Sequence, residues 1–412
     1  MLQEKYNIVL NDVSKREKAS LDFINEEVVN NAQKFHSSFE QYEPTPLVEL
    51  KNLANLLGVK NIYIKDESYR FGLNAFKVLG GSFAIAKYIA EKIGVDISEL
   101  PAERLVSDEV KEKLGDVTFV TATDGNHGRG VAWAAEQLGQ KCVVVMPDGS
   151  AIERRDKIRA HGAKCDIMEG MNYDECVKYA NNYAEEHNGV MVQDTAWEGY
   201  EKIPTWIIQG YATMAKEAKD QLEEQNEVPT HIFAQAGVGS FATGVTGYFS
   251  SVFQGDKKPF IGVIEPEQAN CNYKTAKADD GEIHNVTGEM NTIMAGLACG
   301  EPVTVGWPVL NSYADAFLSV PDKAAARGMR ILGNPLNDDK RVISGESGAA
   351  TLGALSEILQ RDDLESIKKD LKLDENSVIL LFSTEGDTDF AHYRQVVWDG
   401  YYTNEEEYNY NK

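Results

Sequence analysis

The chain has 412 residues, 42% hydrophobic and 26% charged, enough for two domains or one large one with a substantial core. Its formal net charge of −24 argues against nucleic acid and anionic membranes as partners, because both repel an acidic surface. No apolar run approaches the ~20 residues that span a bilayer, and no basic stretch followed by an apolar one opens the chain.

The expectation is a soluble cytoplasmic protein. Five scattered cysteines without a CxxC pair indicate neither a zinc site nor a disulfide framework, so no metal is expected. Cys271 and Cys299 are the only two considered for pairing, with reduced thiols the default.

In chain order, the first segment of note is Tyr42-Glu43-Pro44-Thr45-Pro46-Leu47, a rigid extended lead-in. A β-rich run at 61–65 follows and ends in Lys65-Asp66-Glu67-Ser68. Next comes Asn74-Ala75-Phe76-Lys77-Val78-Leu79-Gly80-Gly81-Ser82, which sets a lysine among apolar residues directly before a helical pattern. Residues 95–116 are charge-rich with weak periodicity and read as a surface insertion. Strands are predicted at 117–121, 141–146, 165–168 and 190–193, and helices at 130–138 and 173–186. A helix over 205–222 leads to strands at 231–235, 260–264 and 378–382, with a loop-like stretch over 274–290. The tail Glu405-Glu406-Glu407 reads as a solvated end.

Continuous apolar strands separated by helices predict parallel sheets covered on both faces. The fold class is therefore α/β, with two open, mostly parallel sheets. The larger domain is expected from 1–81 and 207–412, the smaller from 82–206, with the active site in the cleft between them. In such folds ligands bind beyond the carboxyl ends of strands, and the polar motifs fall at such ends.

Lysine is almost never buried unpaired, and desolvation favours its neutral amine, which can form a Schiff base with a carbonyl cofactor. Lys77 is the candidate; the bland alternative is a snorkelling lysine at a helix start. The run Thr121-Ala122-Thr123-Asp124-Gly125-Asn126-His127-Gly128 sets a carboxylate, an amide and an imidazole between a strand and a helix. Thr123 or Asp124 as a helix cap accounts for one of those polar residues, not for the run.

Gln193-Asp194-Thr195-Ala196-Trp197-Glu198-Gly199-Tyr200 is a second polar cluster, read equally well as a capping aspartate and a core tryptophan. Gln235-Ala236-Gly237-Val238-Gly239-Ser240 precedes a helix, so its backbone N–H groups and the helix terminus make a phosphate cradle. The same glycines also read as a poor dinucleotide fingerprint, with Glu265 after the next strand as the ribose acid, or as a tight turn. Ser383-Thr384-Glu385-Gly386-Asp387-Thr388-Asp389 offers two neutral hydroxyls at a strand end.

Together these segments resemble the fold type II enzymes dependent on pyridoxal phosphate, over about residues 42–398. Within that superfamily they resemble the diaminopropionate ammonia-lyase family. Arg70-Phe71-Gly72-Leu73-Asn74-Ala75-Phe76-Lys77, Ala295-Gly296-Leu297-Ala298-Cys299-Gly300 and Ser344-Gly345-Glu346-Ser347-Gly348-Ala349 add to the likeness.

The resemblance implies that Lys77 holds pyridoxal 5′-phosphate covalently, and that the amides of Gly237, Val238, Gly239 and Ser240 bind its phosphate. It further implies that Asn126 contacts the ring hydroxyl and that Glu346 lies near the ring. Ser383, or neighbouring Thr384, would face the pyridine nitrogen. Dehydratases of the superfamily usually carry a small residue where this chain has Asp124, and a carboxylate there suits a substrate with a cationic β-amine. Asp194 supplies a second carboxylate for the same purpose.

The implied activity is α,β-elimination of ammonia from D- and L-2,3-diaminopropionate by a homodimer. The alternatives are a serine or threonine dehydratase, a β-replacement synthase, a catalytically silent binder, and a nicotinamide-dependent oxidoreductase. The last leaves Lys77 and Asp124 without a role.

Overall fold

The computed structural model of the chain describes residues 5–403, so the run Glu405-Glu406-Glu407 lies outside the described residues. In chain order the strands are β1 (Asn7–Leu10), β2 (Leu47–Glu49), β3 (Asn61–Asp66), β4 (Thr118–Ala122), β5 (Lys141–Pro147) and β6 (Lys164–Met168). They continue with β7 (Val190–Met191), β8 (His231–Gln235), β9 (Phe260–Pro266), β10 (Ala316–Val320) and β11 (Val378–Ser383). Contacts divide the chain into two compact units. One is built from the described residues up to Leu21, Thr45–Tyr69 and the described residues from Glu217 onward; the other is Asp22–Pro44 and Arg70–Lys216. The expected smaller domain, 82–206, lies inside the second unit, which also takes in residues 22–44, 70–81 and 207–216.

The first unit holds a seven-stranded sheet in the order β1-β10-β9-β8-β11-β3-β2. Its edges are antiparallel, β1 on β10 and β2 on β3, and its interior is parallel. Strands β8, β10 and β11 are buried at every position, as expected of apolar runs covered on both faces. From β8 the chain builds outward through β9 and β10 on one side, while β11 and β3 lie on the other. The order therefore reverses between β8 and β11, where an open α/β sheet forms its ligand crevice.

The second unit holds a four-stranded parallel sheet in the order β6-β5-β4-β7. Here the reversal falls between β4 and β7. The helix Tyr173–Glu186, whose bounds match the prediction, starts in a capping box of Asn172 and Glu175. Residues 95–116, read as a surface insertion, are not without structure. They form two short helices, Ala102–Leu105 and Asp108–Leu114, anchored by fully buried Leu100, Leu105 and Val110. Anchors five residues apart give no visible helical period, which is why the pattern reads as weak. The stretch over 274–290 is likewise not all loop, since the helix Cys271–Ala278 takes its start. Among the described residues no helix is long and apolar enough to cross a membrane.

Glycines set the spacing of the second unit's helices. A Cβ at Gly210 would sit 2.4 Å from Leu79 O, and one at Gly130 2.7 Å from Val78 Cα. The helix Val78–Ile93 is thereby gripped at its start, beside Lys77.

Candidate active site

In the second unit the motif residues gather at the carboxyl ends of β4 and β7, flanking the reversal in strand order. Asn74, in the left-handed region at φ 60°, turns the chain so that Lys77 heads the helix Val78–Ile93. Lys77 Nζ donates to Asp194 Oδ2 at 2.7 Å; the lysine side chain is 23% exposed and the aspartate's 9%. Burial pushes the Asp194 carboxyl up, but the Lys77 ammonium beside it and the bond it donates outweigh that. The carboxyl is held well below the usual carboxylate range.

His127 is buried and donates from Nε2 to Val192 O at 2.8 Å. Burial lowers its pKa, so the ring is neutral near pH 7 with its lone pair on Nδ1, 3.9 Å from Asp194 Oδ2.

Asp124 is half-buried, and the capping role weighed for it falls to Thr123. Thr123 Oγ1 accepts from the N–H groups of Gly125 at 3.0 Å and Gly128 at 3.1 Å. Arg154 Nη1 donates to the Asp124 carbonyl at 3.2 Å. Asn126 is the first residue of the helix Asn126–Gln137 and is half-buried.

Asp194 is no helix cap, and hydrogen bonds around its neighbour Gln193 fix the chain beside it. Tyr200 Oη accepts from Gln193 N at 2.7 Å and donates to Met191 O at 3.0 Å. The Gln193 side chain accepts from Thr121 Oγ1 at 2.9 Å and donates to Tyr173 Oη at 2.8 Å. Trp197, read as a core residue, is only half-buried and stacks on Tyr200 with ring centroids 4.2 Å apart.

In the first unit the loop Gly237-Val238-Gly239-Ser240 follows β8 and opens the helix Ser240–Val252. Gly239 sits in the left-handed region at φ 100°, a conformation that L side chains rarely adopt. The first N–H groups of a helix have no partner within it, so this terminus offers donors and positive potential together. Ser383 ends β11, the strand beside β8, and is fully buried. Gln235 Nε2 bonds to Phe382 O at 3.0 Å and Thr384 Oγ1 at 2.9 Å, which ties the ends of β8 and β11 together. Glu346 heads the helix Glu346–Ile358 and pairs with His392 Nδ1. Cys271 and Cys299 carry free thiols.

The imidazole of His127 belongs to a flagged run, but the sequence does not foretell the parts that Gln193, Tyr200 and His392 play in these networks. Gln193 and Tyr200 lie inside a flagged polar cluster, whereas no short-range signal marks His392. Glu265, weighed as a ribose acid, has its carboxylate filled by Asn272 and Tyr273 of its own chain.

A family model described as pyridoxal-phosphate dependent enzyme matches residues 39–381. The chain is 53% identical over 369 residues to diaminopropionate ammonia-lyase of Escherichia coli strain K12, covering 90% of this chain and 91% of that one. It is also similar to the crystal structure of the selenomethionine-incorporated holo diaminopropionate ammonia lyase from E. coli. The TM-score there is 0.90 at 47% identity, covering 98% of this chain and 99% of that one. A third relative is the E. coli enzyme in complex with an aminoacrylate-PLP azomethine reaction intermediate, with TM-score 0.88 and 47% identity over 97% of this chain and 99% of that one.

The residues present fit pyridoxal phosphate: a partly buried lysine at a strand-end cluster, and a glycine loop in which a Cβ at Gly237 would meet Leu297 Cα at 3.1 Å. On fold, motifs and likeness alike, the chain belongs to the pyridoxal-phosphate dependent enzymes and, within them, to the diaminopropionate ammonia-lyase family.

Proposed function

We propose that the chain eliminates ammonia from 2,3-diaminopropionate, D and L alike, consuming one water and releasing pyruvate and two molecules of ammonia. The observation that carries this reading is the 2.7 Å contact between Lys77 Nζ and the buried Asp194 carboxylate, in a chain 53% identical to a diaminopropionate ammonia-lyase.

Pyridoxal phosphate, when bound, supplies an electron sink for the charge left at Cα. Lys77 holds it covalently and moves the Cα proton on one face. Asp124 serves the other face, so that each enantiomer meets a base. The β-amine leaves as ammonia only when protonated. Diaminopropionate carries it as an ammonium, for which the carboxylates of Asp124 and Asp194 are partners of opposite charge. Asn126 contacts the ring hydroxyl, and the amides of Gly237, Val238, Gly239 and Ser240 hold the phosphate.

Ser383 faces the pyridine nitrogen. A neutral hydroxyl there leaves that nitrogen largely unprotonated and favours elimination over transamination. Either hydroxyl can donate to that nitrogen: Thr384 Oγ1 only accepts from Gln235 Nε2 and keeps its own proton, and the bond Ser383 Oγ donates to Glu385 O is long at 3.4 Å. The ligand is a small amino acid; the protein works as a cytoplasmic homodimer, which sedimentation and cell fractionation check.

The test is ammonia and pyruvate measured together from each enantiomer of diaminopropionate, with cofactor added. Two ammonia per pyruvate from both enantiomers is expected. One ammonia per substrate, or ammonia without pyruvate, would contradict the reading.

A further inference from the structure

In the loop after β8 the carbonyls of Gly237, Val238 and Gly239 are tied down within the first unit. Gly237 O accepts from Asn272 Nδ2 at 3.0 Å, Val238 O from Val303 N at 2.7 Å, and Gly239 O from Thr243 N at 2.8 Å. In a trans peptide the C=O of one residue and the N–H of the next point in opposite directions. Fixing these carbonyls therefore aims the N–H groups of Val238, Gly239 and Ser240 the other way, as a group. Two of the ties are made by backbone. The tie at Gly237, the first residue of the loop, is made by side chains: the Asn272 amide and, more weakly at 3.6 Å, the Cys271 thiol.

The Asn272 side chain is itself held. Glu265, next to last in β9, is fully buried, and its Oε1 accepts from both Asn272 N and Asn272 Nδ2 at 2.9 Å. Its Oε2 accepts from Tyr273 N at 2.6 Å, and Cys271 Sγ lies 3.7 Å from Oε1. Asn272 Nδ2 thus bridges two acceptors, Glu265 and Gly237. Turning the amide over would set its oxygen against both, so the orientation is fixed by chemistry. The cost is visible at Asn272 Oδ1, which is buried with no hydrogen-bond partner, at a place where a Cβ on Gly239 would come within 3.1 Å. A buried acceptor left unpaired is destabilising, so the arrangement is not a default of packing.

We infer that Glu265 and Asn272 are positioning residues for the cofactor phosphate: the carboxylate orients the Asn272 amide, and Asn272 holds the Gly237 carbonyl so that the loop's N–H groups face the phosphate. The inference rests on the glycine loop being the phosphate cradle. It predicts an effect confined to phosphate-bearing ligands, which a merely structural role for Asn272 does not.

The experiment strips the cofactor from the protein and titrates the apo form by absorbance with pyridoxal phosphate and, separately, with pyridoxal, which lacks the phosphate. Asn272→Ala weakens pyridoxal phosphate about tenfold, the worth of one hydrogen bond to the loop, and leaves pyridoxal unchanged. Glu265→Gln, which keeps one acceptor for Asn272, gives a smaller loss with the same selectivity, and it carries the test if Asn272→Ala does not fold. Equal losses for both ligands, or none for either, would overturn the inference. Gly239→Ala separates the two levels of the reading. If it weakens pyridoxal phosphate while Asn272→Ala does not, only the positioning role fails; if neither does, the cradle itself is misplaced.

Discussion

Two lysines of this chain leave water for different reasons. Lys65 is fully buried, with Glu217 Oε2 and Thr45 O each at 2.7 Å and Gln221 Oε1 at 2.8 Å. Lys77 keeps 23% of its side chain exposed and points at Asp194. Lys65 is followed by Asp66-Glu67-Ser68, whereas Lys77 stands among apolar residues before glycines and a helix start, which is what singles it out in the sequence. A difference the sequence does not display separates them: Lys65 is spent on a closed, fully buried ion pair.

Lys77→Ala should then abolish pyruvate formation with little change in thermal midpoint. Lys65→Ala should cost ~3–5 kcal/mol of stability in denaturant titration, because it strands the Glu217 carboxylate. Asp124→Asn should reduce turnover of one enantiomer by ~10²–10⁴-fold and spare the other. Equal loss on both enantiomers, in steady-state assays, would remove Asp124 from its proposed face.

At the scale of elements, the site depends on how closely helices approach the lysine. Gly130→Ala would drive a methyl into the Val78 backbone, and Gly210→Ala into the Leu79 carbonyl. Each should destabilise by ~1–3 kcal/mol in chemical denaturation, and Gly130→Ala, whose contact reaches the Lys77 carbonyl carbon at 3.1 Å, should also lower turnover. Tyr200→Phe would leave Gln193 N–H and Met191 O without the hydroxyl they share, at ~1–3 kcal/mol.

Elements with strong local signals were legible. Strand β8 and the helix Tyr173–Glu186 match their predicted bounds, since apolar runs and a capping box are local features. Strands β1, β2 and β10 were not foreseen. The first two are short edges whose pairing is decided by distant partners, and β10 is recognised by its fit between β1 and β9. The lattice around Gln193 joins residues 121, 173, 193 and 200, a convergence that no sequence spacing encodes.

For the molecule as a whole, the motifs fall where each sheet reverses its strand order, at the ends of β4 and β7 in one unit and of β8 and β11 in the other. That much of the site was legible as polar runs after apolar ones. The division of the chain was less so, because residues 22–44 join the second unit through contacts with no local signature.

Two buried acids shape the response to pH with opposite sign. Burial raises Glu265 from 4.5 to about 7, so its contribution to stability is full below its unfolded value and is lost as pH rises through about 7. Asp194 is lowered, so its contribution is present above the ordinary aspartate value of 3.8 and is lost as pH falls through its folded one. Thermal midpoints should therefore fall as pH rises from about 4.5 to about 7 in the native chain, and fall less over that window in Glu265→Gln, which has no proton to lose there.

The central claim is the choice of substrate, and specificity constants measured side by side decide it most directly. With pyridoxal phosphate bound, D- and L-2,3-diaminopropionate should each give pyruvate with a kcat/KM well above that of serine and threonine, because only they carry a β-ammonium for Asp124 and Asp194 to meet. A kcat/KM for serine or threonine equal to or above that for both diaminopropionate enantiomers would contradict the account and leave Asp124 without a function.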